Sequence, residues 1–175
     1  MAGTDGPIRL VRSRRDTDTL DAIASHLMGL WQDSQPYGSA PSNDEQVFNG
    51  PGINIPMISL SRWPYSQYHT TADTPDIIGE EKLEERADVV EAIVRIRATD
   101  YVPVRRFTGP LFLSKYGLWV DWRTDFALNR AIDAITHLLE GELSVFQIAE
   151  KVRLDYWVVR GWIDKLVANG LAVRS

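Results

Sequence analysis

The sequence predicts an α/β layer arrangement over its first hundred residues, then a helical unit closed by a short strand. Three observations predict this. Apolar runs at 8–11 and 53–60 alternate with helical patterns at 17–31 and 80–98, giving the order strand, helix, strand, helix. Composition turns aromatic after Thr99. Three further helical patterns end on Gly170 and the run Leu171-Ala172-Val173. With 175 residues, 44% hydrophobic and 25% charged, the chain has room for one domain or one plus a small second.

Each element has a local reason. Ile8 to Val11 (Ile-Arg-Leu-Val) follows Asp-Gly-Pro and reads as a strand, with the basic run Arg12-Ser13-Arg14-Arg15 at its end. Asp16 or Thr17 can cap the first helix, whose apolar positions are Leu20, Ile23, Ala24, Leu27, Met28 and Trp31. Asp33 to Gly52, rich in Ser, Pro, Gly, Asn and Asp, is expected as one long loop, a feature often tied to function. Ile53 to Leu60 alternates like a strand, and Pro56 marks an edge or bulge. Ser61 to Pro75 is irregular. Glu80 to Ala98 is the clearest helix, with acids at its N-terminal end, where the helix dipole favours them. Its expected apolar stripe is Leu83, Ala87, Val90, Ile93, Val94 and Ile96.

Tyr101 to Trp122 is aromatic, broken by Gly109-Pro110 and Gly117, and is expected as a connector packed on another part of the chain. Thr124–Leu139 reads as a helix stopped by Gly141. Ser144 caps a short helix to Val152, and Asp155 caps another to Ala168. Helix, helix, turn, helix, Gly, strand is the order of a winged helix-turn-helix. The expected organisation is an α/β unit over 1–100, a connector over 101–123 and a winged-helix domain over 124–175.

Charge and chemistry narrow the functions. The net charge is −5, and over 127–175 six basic side chains face six acidic ones. Phosphate neutralisation drives nucleic-acid binding, so this balance weighs against a DNA-binding regulator. There are no cysteines, so any metal site must use His, Asp or Glu. No apolar run approaches the roughly 18 residues of a membrane helix, and no signal-peptide order opens the chain, so the expected location is cytoplasmic, with no membrane partner. Of the three histidines, His26 and His137 fall within helical patterns and read as packed or surface residues. His69 lies in an aromatic loop with Asp73 nearby, a setting in which a carboxylate can orient a metal-binding imidazole.

The string Tyr68-His69-Thr70-Thr71-Ala72-Asp73-Thr74 resembles the last metal-ligand motif of the co-catalytic zinc aminopeptidases, Tyr-His-Thr-x-x-Asp-Thr. Thr4-Asp5-Gly6-Pro7, Val11-Arg12-Ser13-Arg14-Arg15, Gln35-Pro36-Tyr37-Gly38-Ser39 and Asn43-Asp44-Glu45-Gln46-Val47-Phe48 resemble, in the same order, motifs of bacterial aminopeptidase-like proteins that carry a C-terminal winged helix. The resemblance covers nearly the whole chain. It implies the C-terminal part of an aminopeptidase-like α/β/α domain followed by a small winged helix-turn-helix domain. It further implies zinc, with Asp5 and His69 as metal ligands and Asp73 behind them. Arg12, Arg14, Arg15 and Tyr68 would line a substrate site for a peptide or amide.

The family's early His, bridging Asp, ligand Glu and general base have no counterpart here, because only Met1 to Thr4 precede Asp5. Catalytic zinc takes three protein ligands and an open position, and its water needs a base. No catalytic residue is therefore assigned, and the zinc ligand set is incomplete. The expected partner is a missing N-terminal half or a homo-oligomer partner. A non-enzymatic binding or scaffold module is the alternative function, and a winged-helix DNA-binding regulator the third.

Overall fold

In the computed structural model, the described residues are 2–16, 18–29, 34–40 and 43–175. They fall into two compact units, Met1–Ala98 and Thr99–Ser175. Helices and short antiparallel strand pairs together make an α/β fold, as the sequence predicts.

In the first unit, β1 (Arg9–Val11) pairs antiparallel with β2 (Ser59–Ser61), with Arg9 opposite Ser61 and Leu10 opposite Leu60. On the other side of β1, Val11 forms a parallel bridge with Gln35, whose N–H donates to the Leu10 carbonyl at 2.8 Å. α1 (Thr19–Met28) packs on β1. Asp18, rather than Asp16, caps α1 by accepting the Leu20 N–H at 2.9 Å, and Gly29 ends it with φ +60. Thr17 and Trp31, assigned from sequence to this helix, lie outside the described residues, as does Asp33. α2 (Glu45–Phe48) is a single helical turn inside the segment expected to be loop.

Two expectations are corrected here. Residues 53–58 form no strand. The Ile53 and Asn54 N–H groups both turn back to the Gly50 carbonyl, Asn54 is left-handed at φ +52, and Pro56 has no N–H to give a ladder. Ile53 and Ile55 are accordingly exposed. The stripe on α3 (Glu80–Thr99) is also divided. Ile93 and Ile96 are buried, whereas Leu83, Val90 and Val94 are 43%, 41% and 58% exposed. A helix advances 100° per residue, so Leu83, Ala87, Val90 and Val94 form their own row beside the buried one.

The second unit is built on α4 (Phe126–His137), α5 (Val145–Val152) and α6 (Tyr156–Ala168). Each has a side-chain N-cap: Asp125 on the Leu128 N–H, Ser144 in a reciprocal capping box with Gln147, and Asp155 on the Trp157 and Val158 N–H groups. Their facing sides bury Ile135, Val145, Phe146, Ile148, Val159, Ile163 and Leu166. β4 (Ala172–Arg174) pairs antiparallel with β3 (Pro103–Arg105), a strand that lies within the expected connector. A single apolar residue between Pro103 and Arg105 gives no alternation to detect. The connector is also less covered than its composition suggests, because Phe112, Trp119 and Trp122 are 72%, 60% and 53% exposed. Among the described residues no helix is long and apolar enough to cross a membrane.

Candidate functional site

The antiparallel register sets the geometry of the site. Residues before Arg9 run alongside residues after Ser61, so the Thr4–Gly6 turn and the loop leading to His69 share one end of the ribbon. Arg62 joins them. Its guanidinium is buried and donates from Nη1 to the Gly6 carbonyl, next to Asp5. From Nη2 it donates to Glu85 on α3 at 2.5 Å. The hydrogen bond from Arg62, added to the charge of Lys82, holds the Glu85 carboxyl below its ordinary range. At this end two buried polar atoms, Thr4 Oγ1 and Arg62 Nε, have no hydrogen-bond partner among the described residues.

Asp5 itself is exposed and has no hydrogen bond or ion pair among the described residues. His69 is also exposed and takes a left-handed backbone, φ +58. Histidine is among the few non-glycine residues enriched in that region, and such outliers concentrate at functional positions. Its ring stacks on Tyr68, with centroids 3.9 Å apart and planes at 17°. Behind Tyr68, Trp63 and Tyr65 complete an edge-to-face cluster, Trp63 to Tyr68 at 4.9 Å and Tyr65 to Tyr68 at 5.6 Å.

The loop is further tied within itself. Thr70 Oγ1 donates to the Gln67 carbonyl at 2.8 Å and accepts the Ala72 N–H. The Tyr65 hydroxyl donates to Asp73 at 3.1 Å. Desolvation, and then the Asp73 carboxylate, push the Tyr65 phenol above its ordinary value. The carboxylate of Asp73 is thus held by Tyr65, and no hydrogen bond reaches the His69 ring among the described residues.

The basic run has mostly local duties. Arg12 pairs with Asp16 at 2.6 Å. Ser13, between the arginines, gives both its N–H and its hydroxyl to the buried Asp21 carboxylate, each at 2.6 Å. Arg14 donates its N–H to Asn49 at 3.2 Å, and both Arg14 and Arg15 are exposed. Asn49 is a bracket: its amide donates to the Glu45 and Met57 carbonyls, and its oxygen accepts from Arg14 and Met57. Asp21, Asn49 and Arg62 are the residues that sequence reasoning passed over. Only a charged or amide side chain inside an apolar pattern hinted at Asp21, and nothing in the local sequence marks Arg62 as buried.

The residues present do not fit a complete zinc site. Asp5 and His69 are two ligands where a catalytic zinc takes three. Among the described residues no three His, Asp or Glu side chains converge.

In the second unit, Asp164 on α6 gathers three groups. It accepts from the Tyr101 hydroxyl at 2.5 Å and pairs with Arg160 at 3.3 Å and Arg174 at 3.0 Å. Burial raises Asp164, but these donors outweigh it and hold the carboxyl below its ordinary value. Burial first, and then Asp164, push the Tyr101 phenol well up. Arg160 also donates to the Thr99 carbonyl at 2.9 Å. Arg160 and Arg174, two of the cations that a DNA reader would offer, are therefore turned onto the unit itself. A cleft of about 610 Å³ lies between α4 and the segment 105–119, floored by Phe107, Leu113, Trp119 and Ile132.

Residues 1–100 match the model of the family described as a domain of unknown function, DUF4910, and the chain belongs to that family. It is also similar to a solved structure from Clostridium acetobutylicum described as a "putative peptidase". Identity is 21% and the TM-score 0.79, over 99% of this chain and 40% of that one. The chain thus spans 40% of the length of that neighbour, and the likeness shows a common fold. No curated protein matches the sequence.

Proposed function

We propose that this chain is the C-terminal portion of a zinc aminopeptidase-like protein and supplies Asp5 and His69 to a metal site completed by residues outside it. In that reading the remaining ligands and the general base come from the rest of such a protein, and the chain alone does not hydrolyse peptides. The observation that carries the proposal is the shared end of the β1–β2 ribbon, where Arg62 ties the Asp5–Gly6 turn to the strand that leads into His69. The left-handed His69, whose ring has no hydrogen bond among the described residues, and the unpartnered Thr4 Oγ1 and Arg62 Nε add to it. The sequence motifs and the peptidase description of the Clostridium protein support the reaction class, hydrolysis of an N-terminal peptide or amide bond.

Tyr68 braces the His69 ring, while Arg14 and Arg15 are exposed cations beyond the opposite end of the β1–β2 ribbon, available to a more distant part of a substrate. The winged-helix reading of 124–175 rests on its element order, and the Asp164 cluster favours a protein-packing role for it over DNA binding. Zinc titration of the purified chain by calorimetry tests the ligands. Expected is weak binding that Asp5→Ala and His69→Ala each abolish, with no release of amine from an aminoacyl anilide. Zinc binding indifferent to both substitutions, or none at neutral pH, sinks the assignment of these two ligands.

A further inference from the structure

Two surfaces of the chain are apolar, exposed and opposite in charge. On the second unit, the segment 105–130 holds five basic residues against two acidic ones, Asp121 and Asp125. Its aromatic rings face solvent with cations over them: Lys115 on Tyr116 at 5.4 Å, Arg123 on Trp122 at 5.2 Å and Arg130 on Phe126 at 5.9 Å. None of these three cations has a carboxylate partner among the described residues. Trp119, 60% exposed, edges the cleft of about 610 Å³. Exposed Trp, Phe and Arg around a concave apolar floor have the composition of a protein-interface hot spot.

On α3, the row Leu83, Ala87, Val90 and Val94 is exposed in the single chain. Glu80 and Glu84 fall on one margin of that row and have no ion pair among the described residues. Residues 80–91 hold six acids against Lys82 and Arg86. This is an acidic amphipathic helix of the kind that lies in an apolar, basic-rimmed groove.

We propose that the chain self-associates, the α3 row of one copy seating on the 105–130 surface of a second. It does not depend on the metal reading. Apolar contact at Trp119 and Trp122 supplies most of the affinity, while Glu80 and Glu84 against Arg123 and Arg130 set the register.

Sedimentation velocity at rising concentration tests this in three chains: wild type, Arg123→Glu with Arg130→Glu, and Glu80→Lys with Glu84→Lys. Circular dichroism checks that all three are folded. Wild type is expected to dimerise, more weakly as salt rises. Each reversed chain weakens its own pairing about tenfold or more. Mixing the two restores a dimer, because each then offers the other matched charges. A wild-type chain that stays monomeric overturns the proposal, as does a dimer that neither reversal weakens or reversed chains that fail to pair with each other. Binding of a monomeric wild type to anionic vesicles, lost in Trp122→Ala, overturns it too and reassigns the surface to a membrane.

Discussion

The two units keep their shape by different means. Among the described residues, Thr99–Ser175 buries seventeen apolar residues and no polar ones, whereas Met1–Ala98 buries eight apolar residues with seven polar or charged ones. The second unit is an apolar core with capped helices around it. The first is held to a large extent by buried hydrogen bonds: Ser13 on Asp21, Asn49 on the 45–57 loop, and Arg62 between Gly6 and Glu85. Apolar burial tolerates small shifts, because it has no direction. A buried polar group keeps its stability only while every partner stays in place. The unit with the candidate ligands is thus the one whose geometry is specified bond by bond.

The largest effect expected is on the apolar side. Phe146→Ala removes a fully buried ring from the core of the second unit and should cost about 3–5 kcal/mol. Urea unfolding followed by a signal from the second unit, such as Trp162, reads the loss. A cost under about 1 kcal/mol would mean that this core is not the continuous one described.

The counterpart in the first unit is Arg62→Ala. It strips the Gly6 carbonyl of its donor and breaks a pair in which the arginine is buried and Glu85 is half exposed. Because Glu85 is half exposed, the loss should be smaller than that of Phe146→Ala and come mainly from the unfilled buried space and the Gly6 carbonyl. The pair also predicts a pH dependence. Arg62 lowers the Glu85 carboxyl in the fold, so its contribution is complete above the ordinary glutamate value and fades as pH falls through the lowered one. Thermal unfolding between pH 6 and pH 3 should show that loss in wild type, and Glu85→Gln should flatten it. An unchanged slope in Glu85→Gln would remove the clasp from the account.

How much of this was legible in the sequence follows the same division. The second unit was read well, because Ser144, Asp155 and Gly170 are local punctuation and the apolar spacing of α4–α6 matches a helix. β3 escaped, since only its pairing with β4 makes it a strand. In the first unit, Asp18 displaced Asp16 as cap, and the Ile53–Leu60 alternation lost to a turn fixed by Gly50 and a left-handed Asn54. Asp5 and His69 are candidates by motif, whereas Arg62, at their end of the ribbon, and Asn49, at the opposite end, act across 56 and 35 positions of sequence. Long-range polar contacts have no period, and so no local signal announces them.

Asn49→Ala comes next in size. It leaves the Met57 N–H and carbonyl without their buried partner, while the Glu45 carbonyl keeps the backbone N–H of residue 49, a loss of about 1–3 kcal/mol. Limited proteolysis should then cut faster within 43–58 while the second unit stays intact, and equal cutting in both would break the division drawn here.

The smallest effect sharpens the comparison most. Ser144→Ala removes one arm of the capping box of α5 and should cost about 1 kcal/mol, as should Asp18→Ala at the start of α1. The two losses are alike in chemistry but not in setting. α5 keeps Val145, Phe146, Ile148 and Ala149 buried, so its frayed end stays anchored by apolar contact. α1 buries Asp21 in its first turns, and that carboxylate holds Ser13 at the end of β1. Fraying α1 therefore loosens a polar clasp as well as a helix end. Amide hydrogen exchange separates the cases. Ser144→Ala should speed exchange over the first turn of α5 alone, while Asp18→Ala should also speed it at the Ser13 N–H. Exchange confined to the first turn in both variants would show that the polar clasp at Ser13 holds without the cap.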